Sequence, residues 1–68
     1  MSDDELKVLQ KEVSQKKRIA TEWASQIHDL VEDRLMTGFR DLPELARQTV
    51  VACEDWAVAK AKLDQAGS

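Results

Sequence analysis

Two long stretches of this chain contain neither glycine nor proline, one from Asp4 to Leu35 and one from Glu44 to Ala66. Between them stands the single proline, Pro43, and one of only two glycines, Gly38. Chains free of both residues over such lengths propagate helix, because nothing removes a backbone donor or adds backbone entropy. The apolar residues confirm the period. In the first stretch Leu6, Leu9, Val13, Ala20, Trp23, Ile27 and Leu30 follow steps of three and four, leaving one seam broken at Lys16. In the second, Leu42, Leu45, Thr49, Ala52, Trp56, Ala59 and Leu63 form the matching seam. The expectation is helix one over about 3–35, a turn at 36–41 and helix two over about 42–66.

Local signals mark the boundaries. Ser2 or Asp3 can cap the first helix, and Asp3, Asp4 and Glu5 complement its dipole. Gly38 reads as a left-handed helix stop. Asp41-Leu42-Pro43-Glu44 then reads as a new start, with Asp41 as cap, Pro43 in the first turn and Glu44 completing a capping box. So short a connection between two long helices predicts an antiparallel hairpin and an all-α fold.

A hairpin buries one line of contact, and this sequence carries more apolar surface than that. Ala24 and Val31 flank the first seam; Ala46, Val50, Cys53 and Ala57 flank the second. A single core in a chain of 68 residues rarely supplies more than about 3–5 kcal/mol. Cys53 has no partner for an internal disulfide, and Cys53 with His28 falls short of a four-ligand zinc site. A second chain is the remaining source of stability. The expected assembly is a homodimer, or higher homo-oligomer, in which two hairpins make a four-helix bundle. Its core is expected from Leu9, Val13, Trp23, Ile27, Leu30, Leu45, Thr49, Cys53, Trp56 and Leu63.

Composition limits function more than it reveals it. The net charge is −3, with 43% hydrophobic and 34% charged residues, as in a small amphipathic helical protein. Neither half is basic, so nucleic-acid binding lacks electrostatic support. Lys7, Lys11, Lys16, Lys17 and Arg18 form the one basic region, but Asp3, Asp4, Glu5 and Glu12 interleave with it. RNA binding there stays an alternative. An uncharged run such as Gln48 to Cys53 is far below the roughly 18–20 apolar residues of a membrane span. The acidic start does not read as a signal peptide, so the cytoplasm is expected. No serine triad, phosphate loop or paired-carboxylate spacing is present, and an enzyme is not expected.

Three features remain as candidate sites. His28 shares a helix face with Glu32, four residues on, beside Asp29 and Asp33. That is a polar face with an ion pair, a recognition patch, or a loose divalent-metal site in which His28 and Glu32 would be ligands. Cys53 is expected to pack as a small hydrophobe, with a metal-cluster or redox role as the alternative. Met36, Phe39 and Arg40 surround Gly38. The two apolar side chains either cap the bundle end, the expected outcome, or stay exposed as a docking tip.

Ile27-His28-Asp29-Leu30-Val31-Glu32-Asp33, followed by Leu42-Pro43-Glu44-Leu45-Ala46, resembles the short Rop-like proteins associated with nitrogen fixation. The resemblance runs from about Lys17 to Leu63; the Arg34–Phe39 turn departs from the family pattern. It implies a hairpin that oligomerises and a genomic setting among genes for nitrogenase and its cofactor assembly. With no catalytic machinery in the sequence, the expected role is a non-enzymatic accessory protein that binds nitrogenase or a protein that assembles its cofactor. His28, Asp29 and Glu32 match the family motif and are implied as a recognition or metal-contacting patch; Met36, Phe39 and Arg40, outside that match, are partner-binding candidates on their own residue types. No resident cofactor is expected; the alternative is a carrier of iron or another transition metal in cofactor maturation.

Overall fold

The computed structural model describes residues 3–67. Helix α1 spans Asp3–Asp33, α2 is a single turn at Leu35–Gly38, a 3-10 turn covers Phe39–Asp41, and α3 spans Leu42–Gly67. There is no strand among the described residues. The long helices α1 and α3 pack side by side as a hairpin 51 × 15 × 12 Å in extent. A 31-residue helix is about 46 Å long at 1.5 Å per residue, so α1 alone accounts for nearly the whole rod.

The two seams meet as their spacing predicts. Leu6, Leu9, Val13, Ala20, Trp23 and Ile27 of α1 are half-buried, as are Leu45, Thr49, Trp56 and Leu63 of α3. Burial is nevertheless thin. Among the described residues the buried apolar ones are Leu30, Ala52 and Ala59, and Leu30 is the one large side chain fully enclosed. The indole Nε1 of Trp56 is buried without a hydrogen-bond partner, an omission that costs about 1–3 kcal/mol. Lys16, where the seam breaks, is half-buried, and it lies in a groove with Gln48 and Asp55.

The connection differs from the expected turn. Helix α1 ends at Asp33 because Arg34 leaves helical geometry at φ −137°, ψ 22°. The chain then bends back as helix. The Arg34 carbonyl accepts the N–H groups of Thr37 and Gly38 at 3.2 and 2.6 Å. This brings Gly38 down on Leu30, burying both. Gly38 is not a left-handed stop: its φ is −114° and its ψ 4°, and no described residue has a positive φ. A Cβ at that point would lie 3.5 Å from Leu30 Cδ1, an ordinary van der Waals contact, so neither conformation nor space demands glycine there.

The start of α3 also departs from expectation. Asp41 belongs to the 3-10 turn, and the Glu44 carboxylate turns forward rather than back to a capping box. It accepts hydrogen bonds from Arg47 Nε at 3.0 Å, Arg47 Nη2 at 2.6 Å and Gln48 Nε2 at 2.9 Å. A bidentate guanidinium offers more than one backbone N–H, which explains the choice. Pro43 does sit in the first turn of α3, where its missing N–H has no helical partner to lose. The Ser2 cap lies outside the described residues. No helix among the described residues is long and apolar enough to cross a membrane.

Candidate functional site: the loop end and two flanks of the hairpin

The loop end carries the polar motif and the tip. His28 lies on the last full turns of α1, with its Nε2 3.4 Å from Glu32 Oε1 and its Nδ1 3.9 Å from Asp29 Oδ1. All three side chains are largely in water. The spacing of four residues brings His28 and Glu32 together as the helix dictates. As metal ligands they remain a pair: among the described residues no group of three or more His, Cys, Asp and Glu converges. Cys53 contributes nothing there, since it lines a groove with Lys17, Ala20, Thr21, Ala24, Thr49 and Trp56.

Met36 and Phe39 do not cap the end of the hairpin. Met36 is 83% exposed and Phe39 50%, because the bend at Arg34 turns Leu30 and Gly38 inward and leaves Met36 and Phe39 on the outside. Arg40 places its guanidinium 5.7 Å from the Phe39 ring centroid, a cation–π contact that holds one face of the ring. The tip is thus an exposed thioether and a half-covered ring beside a cation. In the basic stretch, Arg18 lies 4.0 Å from Glu22, so part of its charge is answered locally.

Between the long helices two grooves open on opposite sides. One is lined by Lys17, Ala20, Thr21, Ala24, Thr49, Cys53 and Trp56, with a volume of about 310 Å³. The other is lined by Lys16, Ile19, Trp23, Gln48, Val51, Ala52 and Asp55, and is smaller at about 130 Å³. Cys53, expected to be packed, is exposed within this hairpin, as are Ala24, Val31, Ala46, Val50 and Ala57. Sequence reading missed Val8, Ile19, Val51 and Val58, which are exposed large apolar side chains as well. For Val51 and Val58 the signal was α3 itself, which places apolar residues around its whole circumference and so reads as a helix meant to be covered on more than one side.

These features define a class: an antiparallel helical hairpin with a sparse interior, two uncovered flanks and a polar, partly apolar loop end. The chain belongs to the Rop-like family, whose model matches residues 4–68. Comparison with curated proteins and with solved structures finds no match.

Proposed function

We propose that this protein is a non-enzymatic interaction module of the cytoplasm that pairs with itself and docks a partner protein through its loop end. Following the resemblance of the Ile27–Asp33 and Leu42–Ala46 segments, that partner is nitrogenase or a protein that assembles its cofactor. The observation that carries the reading is the mismatch between apolar content and burial. Among the described residues three apolar ones are buried, while Val8, Ile19, Val31, Val50, Val51 and Val58 stand exposed. A chain that invests this much apolar surface outside its own interior is built to be covered by protein.

The loop end suits a partner distinct from the self-association surface. Met36 and Phe39 project from the end of the rod, and His28, Asp29 and Glu32 stand in water on the last turns before it. An adaptable thioether beside a ring and a guanidinium supplies the residue types that anchor interfaces.

The test is affinity capture from nitrogen-fixing cells with the native protein, a Met36→Ser/Phe39→Ser variant and a His28→Ala/Glu32→Ala variant. The expected result is retention of nitrogenase or assembly proteins by the native chain and their loss from one or both variants. Identical retention by all three removes the loop end from the account. Capture that never includes a nitrogen-fixation protein overturns the proposed setting.

A further inference from the structure

We infer that the loop end takes a cationic protein segment: an apolar side chain seated on Met36 and Phe39, with lysines or arginines beside it facing Asp29, Glu32 and Asp33. This rests on the reading of the loop end as a docking site and names the chemistry of what docks there.

Charge at this end is one-sided. Asp29, Glu32, Asp33 and Asp41 stand against Arg34 and Arg40, while farther along Glu44 and Arg47 answer each other. Asp29 and Glu32 have only the His28 imidazole near them, at 3.9 and 3.4 Å. Asp33 and Asp41 join no ion pair among the described residues. Of the two opposing cations, Arg40 lies over the Phe39 ring. Asp29, Glu32 and Asp33 are all exposed, and steps of three and four set them along one stripe of α1. The stripe runs about 6 Å along the axis at 1.5 Å per residue, less than the Debye length of about 8 Å at physiological ionic strength. An approaching cation therefore meets the three carboxylates as one field.

Local stability does not account for that stripe. The carbonyl end of a helix favours Lys, Arg or protonated His, and negative charge there is unfavourable. Helix α1 has no basic residue in its last turn, which holds Glu32 and Asp33 instead. A cation arriving from outside supplies what the helix end lacks.

The same charges select among the surfaces that exposed Met36 and Phe39 could meet. A nucleic acid or an anionic bilayer would bring phosphate against the carboxylates. A second copy docked tip to tip would set like charge against like. A basic segment of a partner protein meets both halves of the patch: its apolar anchor covers the thioether and ring, and its cations find the unpaired carboxylates.

A phage-displayed library of random dodecapeptides supplies the probe. It is selected on the native protein and depleted on Met36→Ser/Phe39→Ser, so that only peptides needing the tip survive. The expected survivors carry net positive charge, with Lys or Arg beside an apolar residue. The tightest of them should bind Glu32→Gln/Asp33→Asn at least about tenfold more weakly than the native protein, and should lose affinity as salt rises. Both altered pairs are exposed, and circular dichroism of each variant checks that the helices are retained. Tip-dependent peptides that are neutral or acidic overturn the charge assignment and leave the docking site standing. So do cationic peptides that bind Glu32→Gln/Asp33→Asn as tightly as the native protein. Tip-dependent retention on phosphatidylserine vesicles or on a poly(U) strand overturns the choice of a protein partner. A library with no tip-dependent peptide overturns the inference, and identical cellular capture by native protein and tip variant would remove the docking site with it.

Discussion

Replacing Gly38 with alanine separates two accounts of the connection. A glycine between helices invites a left-handed reading, and there an added Cβ costs about 1–2 kcal/mol. In the structure Gly38 has φ −114° and ψ 4°, a region open to any residue. An added Cβ would meet Leu30 Cδ1 at 3.5 Å and Leu30 Cγ and Arg34 Cβ at 3.6 Å, which is ordinary van der Waals contact. Nothing has to move. The substitution also lowers the entropy of the unfolded chain, a gain of about 0.4–1 kcal/mol. Gly38→Ala should therefore stabilise the protein by about 0.5 kcal/mol. Urea unfolding followed by circular dichroism, at matched protein concentration because the proposed self-association would contribute to stability, measures it. A loss of 1 kcal/mol or more, on the order of a left-handed penalty, would refute the geometry of the whole bend.

The same corner predicts the opposite response from its other member. Leu30 is fully buried, and Leu30→Ala should cost about 2–5 kcal/mol, enough to remove most helical signal at low concentration. At the start of α3, the Arg47 and Gln48 hydrogen bonds hold the Glu44 carboxyl at about 2, below its ordinary 4.5. A depressed carboxylate favours the folded state above pH 4.5 and loses that contribution as pH falls through about 2. An NMR titration of Glu44 should show the low midpoint, moving upward in high salt because the pair is exposed; a midpoint at the ordinary value in low salt would contradict it. The Met36→Ser/Phe39→Ser variant should unfold within about 0.5 kcal/mol of the native protein, since both side chains are outside; a larger loss would mean the tip is structural.

Much of this fold was legible in the sequence because helix leaves a periodic trace. The steps of three and four from Leu6 to Leu30, and from Leu45 to Leu63, specify which stripes must meet before any coordinates are known. The connection was not legible, since Gly38 can take several conformations and its choice follows from Leu30, eight residues away, needing cover. Glu44 misled for a related reason: a backbone donor at Asp41 and a guanidinium at Arg47 both lay within reach, and spacing alone does not rank them. His28 and Glu32 fell together as their four-residue interval requires, whereas the exposure of Met36 and Phe39 depended on how the chain bends at Arg34.

Self-association carries the account, because the hairpin alone encloses so little. Sedimentation of the native protein from nanomolar to high micromolar concentration, with helicity recorded on the same samples, tests it most directly. The account predicts a folded species of about twice 7.7 kDa that loses helical signal as dilution separates the chains. A fully helical species of 7.7 kDa persisting at micromolar concentration would contradict it.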